Sequence, residues 1–155
     1  MLASLEQTAF STWLLSSQSI WVYPTVLTLH TFGMMVLVGA ALMIDLRLLG
    51  FARAVPLQSL ERLFRIMWGA FALNAFTGSM LFIADAVRRG PQLIFWTKLA
   101  LVGIGLATAV MIRRGSFNKA AEPVVISGAA KRLAVVSLLA WSAAITAGRL
   151  LAYVG

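Results

Sequence analysis

Four long stretches of this chain are almost free of charge. Trp21–Ile44 and Ile66–Ala84 contain no Asp, Glu, Lys or Arg, and Ile94–Ile112 and Leu133–Gly155 contain one each, Lys98 and Arg149. As an α-helix, each stretch is long enough to cross a hydrocarbon core of about 30 Å. A helix also satisfies its own backbone hydrogen bonds where lipid offers none. The sequence therefore predicts an all-α membrane protein, a four-transmembrane-helix bundle with spans over about 24–44, 66–84, 94–112 and 133–153, in one integral membrane domain covering 1–155.

Composition narrows the function classes. Of the 155 residues, 61% are hydrophobic and 12% charged, against roughly 25% charged in soluble proteins, which excludes an ordinary soluble enzyme. The formal net charge of +8 falls in the short segments between spans rather than on one basic face, so nucleic acid is not an expected partner. With no cysteine, disulfides, thiolate metal sites and thiol nucleophiles are excluded. The start of the chain lacks the basic residues and small-residue cleavage site of a secretory signal, so the mature protein is expected to begin at Met1.

Punctuation residues organise the rest. Leu2, Leu5, Phe10, Trp13 and Leu14 among Ser, Thr and Gln suit an N-terminal amphipathic interfacial helix over 1–20. Pro24 fits the first turn of span one. Gly50 offers it a C-terminal stop, and Pro56 opens an amphipathic segment leading into span two. Arg88-Arg89-Gly90-Pro91 is a tight turn, which predicts an antiparallel hairpin of spans two and three. Seven glycines, Gly33, Gly39, Gly69, Gly78, Gly103, Gly105 and Gly148, together with Ala143, Ala144 and Ala147, supply points of close helix approach.

Basic residues set the orientation, because Lys and Arg near span ends stay on the cytoplasmic side. The segments 45–65 and 113–132 hold nine of them, and the opposite side holds four: Arg88, Arg89, Lys98 and Arg149. Both termini are thus expected in the periplasm of a bacterium, with the protein in its inner membrane. Trp21, Tyr23, Trp96 and Tyr153 fall at the outer boundary as an aromatic belt, with Trp68 at the inner one. Asp45, at the inner end of span one, is expected to pair with Arg47, Arg62 or Arg65.

Depth singles out a polar constellation. At about 1.5 Å per residue, His30, Asp85, Lys98 and Arg149 all belong to the outer half. Three helical faces are polar at spacings of three, four or seven residues. They are Asn74 with Thr77 and Asp85, Lys98 with Gly105 and Thr108, and Ser142 with Thr146 and Arg149. Facing inward, these stripes would line a pocket open to the outside, and ionisable residues at membrane depth are functional candidates. Lys98 and Arg149 can also snorkel to head groups, and Asp85 can pair with Arg88 or Arg89. His30, the only histidine, either bridges two helices by a hydrogen bond or ligates. A ligating His30 would find soft donors in Met34 and Met80, a set suited to copper or a b-type haem, with Thr77 or Asp85 orienting the imidazole. Trp141, deeper in span four, packs in the core or over a ligand.

Several runs resemble a known family. Trp21-Val22-Tyr23-Pro24 with Leu29-His30, Asp45-Leu46-Arg47-Leu48-Leu49-Gly50, Thr77-Gly78 with Leu81-Phe82 and Asp85-Ala86, Lys98-Leu99-Ala100, and Gly148-Arg149-Leu150-Leu151-Ala152-Tyr153 resemble a group of small four-span bacterial inner-membrane proteins known as a domain of unknown function. The resemblance covers nearly the whole chain, implies the four-span fold and singles out His30, Asp85, Lys98 and Arg149. The Leu-His start and the Lys-Leu-Ala run are more loosely similar to copper-resistance D-type membrane proteins, with half their usual number of spans.

The expected function is that of a non-enzymatic ligand-binding or transport component, or a small subunit of a membrane complex, with His30, Asn74, Thr77, Asp85, Lys98 and Arg149 around an outward-facing polar pocket. The alternative is redox or metal handling through His30 with Met34 or Met80. Neither a Ser-His-Asp order, nor paired carboxylates, nor a phosphate loop is present to support catalysis. Expected partners are the lipid bilayer and other membrane chains, in a homo-oligomer or hetero-complex.

Overall fold

A computed structural model of the chain describes residue 8 and residues 21–51, 53–116, 126–151 and 153. Among these the regular structure is entirely helical: α1 Val22–Leu49, α2 Leu57–Ala84, a short α3 Ala86–Arg89, α4 Leu93–Ser116 and α5 Gly128–Leu150. Helices α1, α2, α4 and α5 are long and apolar enough to cross a membrane. Apart from Thr8, the expected N-terminal amphipathic helix lies outside the described residues.

The helices run past the uncharged stretches that announce them. With 28 residues each, α1 and α2 are about 42 Å long. Consequently Arg47, Arg62, Arg65, Arg113, Arg114, Lys131 and Arg132 lie on helix ends rather than in loops. Local chemistry sets the limits. Gly50, at φ 95°, donates its N–H to Arg47 O, and Phe51 N–H reaches Leu46 O, a paired closure that favours glycine because a Cβ is strained at that φ. Pro56 is extended and opens α2, while Arg47 Nε donates to Val55 O at 2.6 Å across the turn. At α5, Ser127 accepts from Ala130 N at 3.1 Å, satisfying one of the open N–H groups of a helix start.

Close packing joins α1 to α2, α4 to α5, and α1 to α5. Spans two and three are the expected antiparallel pair, but they are not one of the closely packed pairs. Helices α2 and α4 are antiparallel, but they meet through side chains near their ends, Phe82 stacked on Phe95 at 5.0 Å and Glu61 paired with Arg113 at 2.5 Å. Between the helices, Leu37, Ile44 and Leu48 of α1, Leu60, Phe64 and Met67 of α2, Ile112 of α4, and Ala134 and Trp141 of α5 form the main core. Large apolar side chains such as Phe32, Met35, Phe76 and Leu139 cover the outside. In water so much exposed apolar surface would drive association, and in a bilayer it is the lipid contact.

Candidate functional site

The bundle brings the start of α1, the end of α2, the start of α4 and the end of α5 to one end, and His30, Asn74, Thr77, Asp85 and Lys98 cluster in that half. His30 Nδ1 and Thr77 Oγ1 are 3.0 Å apart. The single hydroxyl proton of Thr77 goes to Leu73 O at 2.8 Å, so Thr77 Oγ1 accepts from His30 Nδ1–H, and Nε2 carries the lone pair of the neutral ring. Asn74 is buried and donates from Nδ2 to Ala70 O at 3.2 Å, while its Oδ1 has no hydrogen-bond partner among the described residues.

Glycines make these positions possible, and they do so reciprocally in both helix pairs. Between α1 and α2, a Cβ on Gly33 would stand 2.6 Å from Asn74 Nδ2, and one on Gly78 would stand 3.0 Å from His30 Cε1. Between α5 and α4, a Cβ on Gly148 would stand 3.5 Å from Lys98 Cε, and one on Gly105 would stand 2.7 Å from Trp141 Cε2. Asn74, His30 and Trp141 thus occupy the space left by a missing Cβ on the facing helix, and Lys98 lies over Gly148 at a distance that a Cβ would meet as ordinary van der Waals contact. The other three expected approach points, Gly39, Gly69 and Gly103, have nothing within 4 Å and face outward.

Charge is unevenly compensated at this end. Asp85 pairs with Arg89 at 2.8 Å, and Arg89 Nη1 also donates to Leu151 O at 2.6 Å, tying the α2–α3 corner to the end of α5. Lys98 is half-buried, and among the described residues it has neither an ion pair nor a hydrogen-bond acceptor. Its charge instead acts on His30 and is acted on by that of Arg89. The local balance is therefore positive.

Two of the three polar stripes face inward and one does not. Asn74, Thr77, Gly105 and Thr108 are buried. Ser142, Thr146 and Arg149 are exposed, so Arg149 stands apart from the cluster. The inward face of α5 is Ala134, Ser137, Trp141 and Ala144, set by small residues that let α1 approach. Met34 is half-buried, and Met80 packs with Val26 and Ala84. Among the described residues no three His, Asp or Glu side chains converge as a metal cage. A shallow groove of about 260 Å³ between α1 and α2, lined by Phe32, Val36, Ile66 and Leu73 with three small residues, is apolar and lies on the outer face.

Asp45 overturns its expected pairing. It is 2% exposed, its carboxyl faces Ser137 of α5, and among the described residues it makes no ion pair. The spacing contained the signal: Asp45 follows Leu37 by eight residues and Ala41 by four, on the buried face of α1. Arg47, two residues further on, points elsewhere. Trp141 is core, as one of its two readings had it, with its Nε1 buried and unpartnered.

These features define a multi-pass α-helical membrane protein. Comparison with protein-family models, with curated proteins and with solved structures gives no match.

Proposed function

We propose that this chain is an inner-membrane protein whose outer half holds an anion-attracting polar site, and that it works as a ligand-binding or transport component or as a small subunit of a membrane complex. One observation carries the reading: the half-buried ammonium of Lys98 has no counter-charge among the described residues, while Asp85, in the same half of the bundle, is already taken by Arg89. A charge at membrane depth is costly without a partner. An anionic group such as a phosphate completes Lys98, with Arg89 adding hydrogen-bond donors. The basic residues at the other end of the bundle support the orientation, with this site outside and both termini periplasmic. Bare backbone at the outward-facing Gly39, Gly69 and Gly103 supports association with another transmembrane chain, since small residues permit close helix approach.

Thermal unfolding of the detergent-purified protein tests the reading, with inorganic phosphate, phosphatidylglycerol or phosphatidylcholine added. Stabilisation by phosphate or by the anionic lipid alone, lost in Lys98→Ala and kept in Arg149→Ala, supports it and separates a free anion from a headgroup. Equal responses of wild type and Lys98→Ala overturn it.

A further inference from the structure

The other half of the bundle contains an ionisable group that the outer site does not use. Asp45 is 2% exposed, and Ser137 of α5, which faces it, is also 2% exposed. Its Oδ2 is buried with no hydrogen-bond partner among the described residues.

The surroundings supply no counter-charge. On α1 itself, Arg47 is turned to Val55 O. From α2, the buried side chains are Leu60, Phe64 and Met67, while Arg62 and Arg65 are exposed and Glu61 is paired with Arg113. From α5, Ala134, Ser137 and Trp141 face inward, and Lys131 and Arg132 are exposed. From α4, Thr108, Ala109 and Ile112 are buried, and Arg113 and Arg114 are exposed. Ser137 is the polar side chain that faces the carboxyl.

We propose that Asp45 is a proton-binding site inside the bundle, a carboxyl between α1 and α5 that exchanges one proton with water at the basic end. Uptake forms the Oδ2–H bond and leaves a neutral acid among apolar neighbours. Release breaks that bond, returns the proton to water and leaves a carboxylate facing the Ser137 hydroxyl. The neutral form suits the site because a buried charge without a partner costs far more than a buried neutral acid. Water is near, since four residues separate Asp45 from the end of α1 at Leu49, about 6 Å along the axis. One turn from Ser137 on the same face of α5, Trp141 Nε1 is a buried donor without an acceptor. Ser137 and Trp141 share one buried face of α5, so a change of charge at Asp45 alters the field at the indole one turn away and is legible in its emission.

Infrared difference spectroscopy of the full chain in lipid vesicles, titrated with pH, tests the proposal. The expected result is a carbonyl stretch of a protonated carboxyl that disappears as pH rises, is absent in Asp45→Asn, and moves in frequency and midpoint in Ser137→Ala. A parallel titration of tryptophan emission is expected to show a step in wild type that is missing in Asp45→Asn and in Trp141→Phe. Ser137→Ala keeps the acid in place, so it decides the matter should Asp45→Asn not fold. Spectra of wild type and Asp45→Asn that agree at every pH, or a band indifferent to Ser137→Ala, overturn the proposal.

Discussion

The indole of Trp141 fills the place where Gly105 has no side chain: a Cβ there would stand 2.7 Å from Cε2 and 2.9 Å from Nε1. Trp141 is 3% exposed and belongs to the main core, so it has nowhere to swing. The α4–α5 pair is closed by this contact at its middle and by Lys98 over Gly148 nearer the end. The α1–α2 pair repeats the device with Asn74 over Gly33 and His30 over Gly78.

Gly105→Ala is therefore expected to destabilise the protein by about 1–3 kcal/mol, the usual cost of forcing extra volume into a filled core. Gly103→Ala, where a Cβ meets nothing within 4 Å, is expected to stay within about 0.5 kcal/mol of wild type, as outward-facing changes do. Thermal or denaturant unfolding in one detergent compares the two, and equal losses would refute the contact.

The hydrogen bond of His30 has a spectroscopic consequence. Because Thr77 gives its proton to Leu73 O, the neutral imidazole is expected to carry its proton on Nδ1, visible in nitrogen NMR of labelled His30. Thr77→Val removes the acceptor; it should mix the tautomers and cost about 1 kcal/mol. A wild-type ring protonated on Nε2 would contradict the assignment.

Helix ends offer a third check. Gly50→Ala puts a Cβ at φ 95° and is expected to cost about 1–2 kcal/mol. Ser127→Ala removes the cap of α5 and is expected to cost about 1 kcal/mol, with Ser127→Asp restoring most of it. Losses in unfolding free energy near zero for both would mean that these ends fray without consequence.

Orientation can be read directly, since the chain has no cysteine of its own. A membrane-impermeant thiol reagent applied to intact spheroplasts is expected to label Tyr153→Cys and to label Ala54→Cys after permeabilisation. Labelling in the opposite order would turn the protein over and place the Lys98 site in the cytoplasm.

Hydropathy is a property of depth, and depth was legible in the chain. Four spans, their alternation, the stop at Gly50, the start at Pro56 and the pairing of Asp85 with an arginine one turn away all follow from local chemistry and from how far each residue sits along its helix. Which side of each helix faces its neighbours was not legible to the same degree, because lipid and protein interior are equally apolar. The stripe Ser142, Thr146 and Arg149 has the spacing of an inward face and is exposed, whereas Asp45 sits beside arginines in sequence and is buried away from them. Likewise seven glycines fit the sequence pattern for close approach, and four serve it. Only the tertiary structure decided these points, since what a missing Cβ or a buried carboxyl faces comes from another helix, and the chain's own periodicity does not record which helix that is.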